Sequence, residues 1–171
     1  MDKKHFSSLL QMKEMNKRLS SVIYHTDQLS AVLVHHMVCE KVLETWIEAS
    51  THNKEFFGNS VSLTFNNKLL IAKNFSLPNE CFLFMRALNS IRNKFAHQIE
   101  KTEVSESEIE TLYSSLSGFI NRNPSKDPKL CKIITKQGTY TFNDSNNIKI
   151  SLIFSSLFLS LFESSGLVKL S

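Results

Sequence analysis

Apolar residues recur at intervals of three and four through most of this chain, the spacing of amphipathic helices. The clearest run is Phe84, Leu88, Ile91, Phe95 and Ile99. It predicts a core-packing helix from about Asn79 to Ile99, with Pro78 in the first turn, where a missing N–H is tolerated. Val32, Cys39, Val42, Leu43 and Trp46 mark an earlier helix, which Asp27 or Thr26 can cap and which reaches about Ala49. Before it, Phe6, Leu9, Leu10, Met12 and Leu19 are the apolar members of a first helical region from about Lys3 to Tyr24. After it, the polar stretch Ser50 to Ser62 reads as a loop, and a third helix covers about Thr64 to Phe75.

The acidic run Ser105 to Glu110 puts carboxylates where they complement a helix N-terminus, so a fifth helix is expected from there to about Asn121. Glu103, Glu106, Glu108 and Glu110 are best explained by that initiation. Asn123 to Pro128 breaks the pattern, LCKIIT and TYTF flank a Lys136-Gln137-Gly138 turn as a short hairpin, and a final helix is expected from Asn146 to Ser164. The outline is all-α, a bundle of five to six helices with a small β-hairpin near the C-terminus, in a single domain spanning 1–171.

Composition agrees with a packed helical domain. Four glycines and three prolines are few, and 42% hydrophobic residues exclude a disordered chain. The net charge of +4 is uneven: residues 56–101 carry six basic against two acidic side chains, and 102–125 carry one against four. That permits nucleic-acid binding without forming the clustered basic stripe that argues for it alone. Cys39, Cys81 and Cys131 form no CxxC pair, which fits a reduced, cytoplasmic setting. His35 and Cys39 are spaced i, i+4 but lack a third ligand, so they read as core and no metal or other cofactor is expected. No secretory h-region opens the chain, and the apolar run Ile148 to Phe162 contains Lys149 and serines, so it reads as a buried helix rather than a membrane span. Within it, Phe154 to Phe162 suits core packing first and an interface second. No phosphate-cradling glycine loop, nucleophile elbow or metalloprotease motif is present.

The candidate chemistry lies in SIRNKFAH, Ser90 to His97. A histidine titrates near neutral pH and can move a proton, and a guanidinium presents paired donors that fit phosphate oxygens, so Arg92, Asn93 and His97 together can handle a phosphate. At ~100° per residue, Arg86, Asn93 and His97 share the face opposite the apolar stripe, flanked by Asn89 and Ser90, while Arg92 lies ~140° from His97. The spacing alone is cheap. With four arginines and six histidines a given Arg-to-His spacing should arise about 0.14 times by chance, and Arg18 and His25 form a second such pair. The alternative reading is a solvated polar face.

SIRNKFAH resembles the Arg-x4–6-His signature of the HEPN superfamily. A long helix with an internal acid (HHMVCEKVLETWIEA), a shorter helix (LTFNNKLLIAKNF) and then the Arg/His helix resemble its mannitol operon repressor (MtlR-like) branch over about residues 27–122, leaving 129–171 as an added hairpin and helix. The resemblance implies an up-and-down bundle that forms a homodimer, with the motif helices of two subunits lining one cleft. It further implies a metal-independent endoribonuclease, a toxin or defence effector, acting on RNA with Arg92, Asn93 and His97 as catalytic residues and Arg86 and Asn89 in support, and restrained by a cognate antitoxin or regulatory protein. The other reading is a noncatalytic MtlR-like regulator that works through protein–protein contact. Glu40 is expected to contact Arg92 or His97, or else to pair with Lys41 or His36 as a boundary carboxylate. Glu44 and Glu48 read as solvated, and no contact with a membrane is expected.

Overall fold

The computed structural model describes residues 1–8, 13–24, 27–58 and 62–167. Among these the chain forms helices α1 (Lys3–Ser8), α2 (Lys13–Val22), α3 (Gln28–Thr51), α4 (Phe65–Asn74), α5 (Asn79–His97), α6 (Glu106–Ser115) and α7 (Ser117–Arg122), then strands β1 (Lys132–Ile134) and β2 (Thr139–Thr141), and last α8 (Asn146–Ser164). The molecule is therefore a helical bundle with one antiparallel hairpin, in the register Lys132 to Thr141, Ile133 to Tyr140 and Ile134 to Thr139.

Caps explain several of the boundaries. Asp27 accepts from the backbone N–H groups of Leu29 and Ser30 to open α3, Thr64 accepts from Asn67 to open α4, and Ser105 with Glu108 forms a reciprocal capping box at α6. Thr26, the other candidate cap, lies outside the described residues, as do His25, Leu9, Leu10 and Met12. The expected first helical region is α1 and α2 on either side of residues 9–12.

Two boundaries differ from expectation. The fifth helix divides at Leu116, whose φ of −93° and ψ of 6° leave helical geometry, so α6 and α7 follow one another as separate elements. Gly118 lets α7 approach α5 closely, since a Cβ there would sit 3.0 Å from Glu80 Oε1, the atom that also accepts from Arg122 at 2.9 Å. In α5 the helix stops at His97 because Gln98 turns extended (φ −121°, ψ 100°), and Ile99, expected on the core stripe, is fully exposed. The helix has ended before the spacing that assigned Ile99 to the core can operate.

α3 is the axis of the bundle. It packs against α1, α2, α4, α5 and α8, so it buries residues around most of its circumference instead of along one stripe. Phe6 of α1 is fully buried and meets Trp46 edge-on at 5.4 Å, and Trp46 Nε1 donates to the Phe75 carbonyl at 3.0 Å, closing the end of α4. Val104 ties three helix ends together: its N–H donates to Gln28 Oε1 at 2.7 Å, and its carbonyl accepts from Asn146 Nδ2 at 2.8 Å. α8 is long and apolar enough by length and composition to cross a membrane, yet 67% of its apolar window is buried in the bundle, the position of a core helix. One surface of α3 stays uncovered: Leu29, Leu33 and Met37, each four residues after the last, are exposed.

Candidate functional site on helix α5

α5 presents two faces because its apolar and polar residues alternate at helical spacing. Phe84, Leu88, Ile91 and Phe95 are buried against the bundle, while Arg86, Ser90, Asn93 and His97 face outward. The outward face is a shallow, open groove formed by α5 and its C-cap alone, lined by Arg86, Asn89, Asn93, Lys94 and His97 together with Ser90 and Gln98. No carboxylate lines it among the described residues. A second hollow of about 680 Å³ continues from His97 along the loop to Glu103. The groove therefore gathers four of the six residues singled out from the sequence and sets two apart.

Arg92 is the first of these two. It is half-buried beside the groove, with Nη1 donating to Asn93 Oδ1 at 3.2 Å, as its angular offset from His97 implied. Glu40 is the second. Its Oε1 accepts from Lys68 Nζ at 2.7 Å, in place of the expected contact with Arg92 or His97, and Lys41 turns instead to Glu44 at 3.3 Å. Lys68 is only 9% exposed and also holds Glu44 at 2.7 Å, so Glu44 is not solvated as the sequence suggested. Burial works to raise Glu44, but Lys68 and Lys41 outweigh it and hold the carboxyl below its ordinary range. Burial likewise works to lower Lys68, and the two glutamates more than reverse it. Glu48 is also paired, with His5 Nε2 at 2.8 Å.

Between Glu40 and α5 sits a residue that the sequence marked only as a neighbour. His36 is 8% exposed, its ring packs 4.1 Å from Phe65 at 30°, and its Nε2 lies 3.0 Å from Asn89 Oδ1. Burial pushes the imidazole below its ordinary range; the hydrogen bond to Asn89 and the charge of Glu40 oppose this, and the charge of Arg92 adds to it. His36 and Lys68 both lie on buried stripes, four residues after Val32 and three after Phe65, and a polar residue at such a position is the signal that points to them.

Glu108 anchors the far side. It accepts from Lys94 Nζ at 2.9 Å, from Lys101 Nζ at 2.8 Å and from the Ser105 N–H at 2.9 Å, and although burial works the other way these bonds hold its carboxyl down to about 2. His35, buried and 4.7 Å edge-on to Phe154, donates from Nδ1 to the Ala31 carbonyl at 2.8 Å, and burial lowers it to about 4. Cys39 and Cys81 are fully buried on α3 and α5, and burial raises both thiols. No three His, Cys, Asp or Glu side chains converge as metal ligands among the described residues.

The groove can thus attract an anion by charge, donate hydrogen bonds from amides and a guanidinium, and offer one imidazole at its end. Compared with known proteins, the chain matches no family model, no curated protein and no solved structure.

Proposed function

We propose that this chain is a metal-independent endoribonuclease of HEPN-like, up-and-down bundle type, working in the cytoplasm as a homodimer. The observation that carries the reading is the groove on α5, lined by no carboxylate among the described residues, in which His97 follows Asn93 by about one helical turn and Asn89 by about two. His97 takes the proton from a ribose 2′-hydroxyl, the 2′-oxygen attacks phosphorus, and the bond to the 5′-oxygen breaks. His97 of the partner subunit protonates that leaving oxygen. The Asn93 amide, with the charge Arg92 contributes through it, stabilises the charge gathered on the phosphorane, while Arg86, about 16 Å along the helix axis from His97, holds another phosphate of the RNA backbone. RNA is left with a 2′,3′-cyclic phosphate, and DNA, without the hydroxyl, is not cut. The ancillary partner is a protein that restrains cleavage, as an antitoxin does.

The purified chain is expected to cleave RNA in EDTA, and His97→Ala to lower the rate at least 100-fold with an unchanged circular dichroism spectrum. Arg92→Ala should also suppress cleavage. Intact RNA after long incubation with the folded wild-type chain rules the reading out. A second reading, a noncatalytic MtlR-like regulator acting by protein–protein contact, is favoured by the exposed Leu29, Leu33 and Met37 along α3. It expects no toxicity on overexpression and partner binding that His97→Ala leaves intact.

A further inference from the structure

Two amides line the α5 groove, and the oxygen of each is already engaged, that of Asn89 from the bundle behind it and that of Asn93 by its neighbour Arg92 at the surface. Arg92 Nη1 donates to Asn93 Oδ1 at 3.2 Å, and His36 Nε2 lies 3.0 Å from Asn89 Oδ1. An amide oxygen opposite an imidazole nitrogen requires the proton on that nitrogen, so His36 Nε2 is the donor. A primary amide has one accepting and one donating end. With both oxygens held, the NH2 ends of Asn89 and Asn93 are left for the groove, and neither has a partner among the described residues.

We propose that His36 is a positioning residue, which through its bond to Asn89 Oδ1 turns the Asn89 NH2 into the groove and makes this wall a donor surface for phosphate oxygens. The identity of the natural ligand as an RNA phosphodiester rests on the ribonuclease reading; the orientation of the amide does not. His36 is placed for this by all that packs on it. Phe65 of α4 stacks on the ring, Glu40 stands one turn along α3 and is itself held by Lys68, and Asn89 and Arg92 face it from α5. Without the His36 donor, Asn89 is free to rotate its oxygen outward, where it would repel a phosphate. Arg92 does for Asn93 what His36 does for Asn89. Arg92 and His36, neither of which lines the groove, thus act on it through its amides.

The test is an NMR titration of the 15N-labelled full chain with inorganic phosphate at constant ionic strength, with chloride as control. The side-chain NH2 resonances of Asn89 and Asn93 are expected to shift together along one binding curve. His36→Phe keeps a ring against Phe65 but removes the donor; phosphate affinity should fall about five- to tenfold, the loss of one oriented hydrogen bond, and the Asn89 response should vanish while that of Asn93 persists. His36→Gln, which carries an N–H, should restore part of the affinity. Asn89→Asp keeps an oxygen for His36 and exchanges the NH2 for an acceptor, so its affinity should drop further in a chain whose fold is undisturbed. Wild-type phosphate affinity in both His36→Phe and Asn89→Asp, or an Asn89 NH2 that phosphate does not move, overturns the proposal. An RNA cleavage assay on the same samples separates the two claims: phosphate binding through these amides with RNA left intact upholds the role of His36 and removes the ribonuclease.

Discussion

At the scale of single residues, burial of His35 makes the molecule sensitive to mild acid. The unfolded chain takes up a proton on this imidazole near pH 6.5, whereas the folded chain resists until about pH 4. Between those values the unfolded state binds more protons, so stability falls as pH falls through the window, by about 3 kcal/mol over its full width. His36, also pushed down by burial, adds to the loss with the same sign. His35→Gln can still donate to the Ala31 carbonyl, and its urea midpoint should change much less than that of the wild type between pH 6.5 and 4. Equal slopes in the two proteins would falsify the assignment. Which residues are buried is largely legible from helical spacing, as Val32, Cys39 and Leu88 attest, but whom a polar residue meets is not. Asn89 reaches His36 across 53 positions and Lys68 reaches Glu40 across 28, distances over which no local pattern speaks.

At the scale of elements, α5 and α6 are clamped by one carboxylate. Glu108 caps its own helix, bonds Lys94 of α5 and holds Lys101 in the loop between them. Its folded value of about 2 against an ordinary 4.5 stabilises the fold above pH 4.5, and the benefit is lost as pH drops toward 2. With Lys94 partly open to solvent, the effect is about 2 kcal/mol. Glu108→Gln should lower the unfolding free energy from urea titration at pH 7 by that amount and converge with the wild type near pH 2. A variant that stays less stable by the same margin at both pH values shows that packing, not charge, is responsible. This clamp and the His35 window are separable because one lies below pH 4.5 and the other largely above pH 4. The helices themselves were readable wherever a cap or an apolar run bounded them, and α8 begins and ends where its pattern does. The end of α5 was not, because Ile99 keeps the spacing of the stripe while Gln98 carries no glycine or proline to announce the stop.

At the scale of the whole molecule, the groove owes its position to the bundle behind it. α3 holds His36 and Glu40, α4 brings Phe65 and Lys68, and α6 restrains Lys94 through Glu108, so one outward face depends on three supporting helices. The polar face of α5 could be drawn from the sequence, since Arg86, Asn93 and His97 fall on it at 100° per residue; its backing could not, because it comes from other helices. The seam between α3 and α5 is the element on which all of this rests, and the molecule carries its own reporters of that seam. Cys39 and Cys81 are inaccessible in the closed bundle, whereas Cys131 is partly open to solvent. A chromogenic disulfide reagent should therefore consume one thiol rapidly and two slowly, and the slow pair should react in step at a rate set by the parting of α3 from α5. Glu108→Gln is expected to quicken the slow phase and leave the fast one alone, so that three ordinary cysteines become a clock for how often the bundle opens.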